Sequence, residues 1–124
     1  MTIQEVINSF KDIRRASVEE QTLIRWINEA EDEAYIFSFD GKGEPRNQKY
    51  TADDLSEELI LPAPYSMAYM WYCVYRQDLI DNQIENANNA LLKYRECLEN
   101  YKKYKMRTGT PPDGIRITLE GYNV

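Results

Sequence analysis

The sequence predicts an all-α fold: a small bundle of about four helices that ends in a long helical hairpin. An irregular loop or short β segment interrupts it, and a strand-like tail closes it. Three observations predict this. Apolar residues recur at helical spacing through both halves of the chain. The stretch "PYSMAYMWYCVYR" is apolar nearly all round, and a three–four seam runs through the segment after it. At 124 residues the chain makes one domain able to bury a modest core.

The first helix opens at Thr2-Ile3-Gln4-Glu5, which has capping-box form, and continues through Ile3, Val6, Ile7, Phe10 and Ile13. A second box, Ser17-Val18-Glu19-Glu20, introduces a longer helix with the stripe Leu23, Trp26, Ile27, Ala30, Ala34 and Phe37. Its "EAEDEAY" run invites a metal-site reading. Glu29, Glu31, Asp32 and Glu33 cannot all converge on one helix face, however, so the run reads as solvated.

Residues 38–63 lose the period. "SFDGKGEPRNQKYT" carries two glycines and a proline, which suits a loop or irregular hairpin. The acidic spacing after Asp40 does not fit a calcium loop, and the glycines form no phosphate cradle. "TADDLSEELILP" adds one turn capped by Thr51 and then an extended stretch into Pro62.

Proline is favoured in the first turn of a helix, so Pro62 and Pro64 announce the third one. Tyr65, Tyr69, Tyr72 and Leu79 step by four, three and seven, while Met67, Met70, Trp71, Val74 and Tyr75 cover the remaining circumference. Strict alternation is absent, which excludes a half-buried strand. The run is also far short of the ~20 residues that span a bilayer. A helix apolar on most sides has neighbours on most sides. Each phenol needs a polar partner while its ring buries area, so the tyrosines imply a share of interface. Tyr50, Tyr65, Tyr69 and Trp71 are the candidate interface residues here.

After Asp81-Asn82 the seam Ile84, Ala87, Leu91, Tyr94, Leu98, Tyr101, Lys105 predicts a helix of about two dozen residues, packed antiparallel on the third. Lys102, Lys103, Lys105 and Arg107 complement its C-terminal dipole rather than form a phosphate site. Gly109, Pro111 and Pro112 stop it. The helical domain thus spans 1–112, and 113–124 form a tail in which Ile115, Ile117 and Leu119 alternate with polar residues as a short strand. These three are further interface candidates. Their strand is expected to pair with "YIFSF" or "NQKYT", in the same subunit or in a neighbour.

Charge and composition narrow the function. The net charge is −6, with 14 acids and 7 bases in residues 1–62, so the chain is poorly suited to gripping DNA by its phosphates. No signal peptide opens the chain. Histidine is absent, and Cys73 and Cys97 lack metal-ligand spacing or a catalytic partner. They read as reduced thiols of a cytoplasmic product. The expectation is therefore a non-enzyme with no catalytic residues, no metal and no cofactor.

The chain resembles the head–tail connector (adaptor, or head-completion) proteins of tailed bacteriophages, in the version found in phages and prophages of Gram-positive bacteria. The resemblance covers residues 1 to about 111. It rests on "MTIQEVIN", "TLIRWINEAEDEAY", "LILPAPYSMAYMWYCVYRQDLID" and "ENANNALLKYRECLENYKKYKMRTGTP" in that order, with Trp26, Tyr65, Tyr69, Tyr72, Asp78, Asn88 and Asn89 at the family's positions. Two positions depart from the pattern. Ala87 stands where the family usually has an aromatic residue, and Asp81-Asn82 stands where it usually has Asn-Gly. The resemblance implies a structural virion protein, assembled in the host cytoplasm. Its copies would form a ring, typically of twelve, that joins the portal protein to the stopper or tail and lines a channel for DNA it does not specifically bind. No membrane is involved. The alternative, from another class, is a small cytoplasmic helical module or regulator that holds one partner protein.

Overall fold

The computed structural model describes residues 1–14, 18–37 and 49–108. They form four α-helices: α1 (Ile3–Ile13), α2 (Glu20–Phe37), α3 (Met67–Ile80) and α4 (Ile84–Thr108), with one 3₁₀ turn at Ala52–Asp54. The fold is an all-α bundle. Ser17 of the second capping box, the loop from 38 to 48, the stop at Gly109, Pro111 and Pro112, and the Ile115–Ile117–Leu119 strand lie outside the described residues.

The capping box at the start of α1 is present. The Thr2 hydroxyl accepts from the Glu5 N–H at 3.2 Å, and the Glu5 carboxylate accepts from the Thr2 N–H at 2.9 Å. Two further N–H groups of the first turn, which no helix can satisfy internally, are taken by the turn after the 3₁₀ segment. Ile3 donates to the Glu57 carbonyl at 3.3 Å and Gln4 to that of Leu55 at 3.0 Å. The Met1 ammonium pairs with Glu58 at 2.8 Å, and Thr2 and Glu58 form an isolated antiparallel bridge. Thr51 caps the 3₁₀ turn as its sequence predicts.

The core joins Ile3, Val6, Ile7 and Phe10 of α1 to Leu23, Trp26, Ile27, Ala30 and Ala34 of α2. Ala68, Tyr69, Cys73 and Val74 of α3 and Ala90, Tyr94, Leu98 and Tyr101 of α4 complete it. Among the described side chains, the apolar stripes of α1 and α2 face this cluster from Ile3 to Phe10 and from Leu23 to Ala34. Ile13 and Ile84 are 39% and 51% exposed, because each sits where its helix runs out of neighbours. Leu91 is only half-buried, and Ala87 and Ala90 hold the buried positions beside α3 instead. Small residues there let the two helices of the hairpin approach closely.

Two boundaries differ from expectation. α3 begins at Met67, so Pro62 and Pro64 stand in the turns before it rather than in its first turn. Tyr35-Ile36-Phe37, the start of the "YIFSF" candidate for strand pairing, is the last turn of α2. A helical segment has no ladder groups to offer.

The α3–α4 turn falls on Asp81-Asn82. Asn82 sits at φ 58°, the left-handed region that favours glycine and that asparagine tolerates best among the others. The Gln83 N–H then reaches the Asp78 carbonyl at 2.8 Å and the Asn82 N–H reaches that of Leu79 at 3.1 Å, the two bonds of a Schellman motif. The chain reverses in three residues, and α4 lies antiparallel to α3.

Candidate functional site

α3 is the hub, because it packs on α1, α2 and α4. Two of its phenols, Tyr69 and Tyr72, find carboxylate partners within the chain. Glu31 of α2 is 0% exposed and accepts from the Tyr69 hydroxyl. The same carboxylate accepts from the Tyr50 hydroxyl at 2.9 Å and from the Ile60 N–H at 3.0 Å. The Tyr69 oxygen in turn accepts from the Leu61 N–H at 2.9 Å. One turn away, Glu29 accepts from Tyr72 at 2.6 Å and from Arg76, and Glu33 accepts from Tyr94. Asp32 pairs with Lys49.

The solvated reading of "EAEDEAY" is therefore corrected. The acids do not converge on one metal-like point, but they fan round α2 to meet two helices, α3 and α4, and the 49–60 segment. Burial is the main cause of the phenol shifts, with the adjacent carboxylates adding to it. It raises Tyr69 (beside Glu31) and Tyr94 (beside Glu33) well above an ordinary tyrosine, and pushes Tyr72, beside Glu29, up to about 12.

A second buried charge ties the opposite end of α3. Asp78 is 2% exposed and receives both the Nε–H and an Nη–H of Arg14, at 2.9 Å each. This side-on bidentate pair joins the end of α1 to the end of α3 and holds the Arg14 guanidinium above its usual range. Asp78 is thus a buried structural anchor.

The candidate interface residues separate by environment. Tyr69 is enclosed by its own chain and has no surface to offer. Tyr50 is half-buried, with its backbone N–H and C=O both bonded to the Asn28 amide, at 2.8 and 3.0 Å. Tyr65 is half-buried against the rings of Tyr101 and Tyr104, at 5.6 and 5.5 Å. Trp71 is half-buried beneath the Lys93 ammonium, 4.2 Å from its centroid. Ile115, Ile117 and Leu119 lie outside the described residues.

Sequence reasoning missed a groove between α2 and α3. Arg25, Trp26, Tyr75, Arg76, Leu79 and Ile80 line it. The Arg76 guanidinium lies 5.7 Å from the Trp26 ring, and Leu79 and Ile80 are 41% and 67% exposed on its rim. The Trp26 indole N–H is buried with no acceptor among the described residues.

No protein family, curated protein or solved structure matches this chain. Its chemistry must be read from its own side chains. Burial raises the Cys73 and Cys97 thiols, Cys73 most, away from the reactive thiolate. Among the described residues no three His, Cys, Asp or Glu side chains group as metal ligands, and no helix is long and apolar enough to cross a membrane. The polar groups brought together here do structural work: they clamp helices.

Proposed function

We propose that the chain is a structural virion protein, a head–tail connector (adaptor) subunit whose copies form a ring between the portal protein and the stopper or tail. The observation that carries this reading is the order of motifs along the chain. A Trp-bearing second helix is followed by the Leu-x-x-Pro-x-Pro-Tyr lead-in, a tyrosine-rich helix carrying Asp78, and a long helix carrying Asn88-Asn89. Each motif falls on a distinct element, and Asn82 supplies the left-handed turn that the family's glycine would supply.

Two physical features support a part in an assembly. The bonds from α2 carboxylates to Tyr69, Tyr72 and Tyr94 tie the hairpin to α2 as one block. The net charge of −6 suits a conduit wall that repels phosphate and keeps DNA sliding. The subunit would act in the host cytoplasm during assembly and then in the virion, with no catalytic step assigned to it.

The test is deletion of the gene from the phage or prophage that carries it. The reading predicts DNA-filled heads without attached tails, restored to whole particles when the gene is supplied in trans. Unchanged yields of tailed, infectious particles would leave the helical regulator as the better reading.

A further inference from the structure

The α2–α3 groove stands out in an acidic molecule because its polar groups are cationic or donors. Arg25 is exposed and makes no ion pair among the described residues. Trp26, which lines the same groove, carries an N–H with no acceptor there, and buried donors are seldom left so. Arg76 reaches only Glu29 and the Tyr72 hydroxyl, and the rim is Leu79 and Ile80. Such a surface fits a segment that offers carboxylates beside an aliphatic side chain.

The chain carries that segment itself. In Asp53-Asp54-Leu55-Ser56-Glu57-Glu58 the carboxylates of Asp53 and Glu57 are exposed, while Asp54 and Glu58 are held by Thr51 and the Met1 ammonium. The two surfaces sit at opposite ends of the bundle. The acidic turn is bonded to the N-terminus of α1, and the Arg14–Asp78 pair fixes the C-terminus of α1 to the groove end of α3. The 11 residues of α1 separate them by ~16 Å, so one copy cannot fold its own turn into its own groove.

We infer that the groove of one copy receives the 53–58 turn of a second copy, head to tail, with Arg25 facing Asp53 and Glu57 and with Leu79 and Ile80 covering the outer part of Leu55, whose other side packs on its own core. Such a heterologous contact repeats, and it closes into a ring when the rotation per step allows. Closure at the portal rests on the connector reading, whereas the pairwise contact does not.

Sedimentation velocity on the full chain tests the contact. Self-association should rise with concentration up to about 0.5 mM and weaken as salt screens the charges. Arg25→Glu and Glu57→Arg should each weaken it at least about tenfold, and a chain carrying both changes should recover it, since the swapped charges again face each other. Ile80→Asp should also weaken it while helix content by circular dichroism stays unchanged. A chain that stays monomeric throughout, or a double variant that fails to recover, overturns the contact. The two proposals fail separately. If Arg25→Glu leaves ring formation on the portal intact, the docking surface is wrong and the connector reading stands. If the charge swap behaves as stated but the portal is never bound, the contact stands and the connector reading falls.

Discussion

Glu31 and Tyr69 show how much rests on single residues. Removing the Tyr69 hydroxyl leaves the Glu31 carboxylate short of a donor and the Leu61 N–H without its acceptor, both buried. Tyr69→Phe should therefore lower unfolding free energy by about 2–3 kcal/mol, read from urea melts, although it removes one atom. A loss below ~0.5 kcal/mol would mean that water reaches the cluster. Asn82 argues the other way. At φ 58° it carries a strain that glycine would not, so Asn82→Gly should stabilise the chain by up to about 1 kcal/mol and Asn82→Val should destabilise it. A glycine variant that melts lower would show the Asn82 side chain to be needed. Neither residue's role was legible in sequence. Helical spacing does set Glu31 apart, four after Ile27 and three before Ala34 on the buried stripe, but its partner Tyr69 is 38 residues away, and Arg14 meets Asp78 across 64 residues.

At the scale of elements, periodicity read well because burial decides it. The caps at Thr2 and Thr51 and the α1 stripe from Ile3 to Phe10 stand where the sequence places them, as do Ala87, Tyr94, Leu98 and Tyr101 of the α4 seam, whereas Leu91 is half-buried and Ile84 exposed. What periodicity could not place were boundaries set by tertiary contact, such as the start of α3 at Met67, and the partners of the phenols. An excess of tyrosines on one helix signalled unsatisfied hydroxyls, and the nearby acid-rich helix was the available clue to their acceptors. The consequence is a pH dependence. Tyr69, Tyr72 and Tyr94 have folded pKa values raised above an ordinary value of about 10. Their contribution is fully present below that pH. It is lost as pH rises, because the unfolded chain then releases protons that the folded chain retains. Melting temperature should hold from about pH 7 to 9.5 and fall steeply between about 10 and 12, less steeply in Tyr72→Phe. A flat profile to pH 12 would contradict the phenol–carboxylate bonds.

The whole molecule is an up-down bundle whose second half, the α3–α4 hairpin, is pinned by α2 carboxylates along one side and by Arg14 at the turn end. Its class was legible from the sequence, because four amphipathic segments and a short turn leave few ways to bury their faces. Its surfaces were less so. The α2–α3 groove needs Arg25 and Ile80, 55 positions apart, to share one end of the fold. The central claim is that this rigid block exists to be repeated around an axis. Electron microscopy of the purified chain incubated with the portal assembly encoded beside it, the partner that the connector proposal requires, tests it most directly. The account predicts an added ring stacked on the portal, one copy beside the next with the 53–58 turn of each at the groove of its neighbour. A bare portal, or a single copy bound to one partner without a ring, would contradict it.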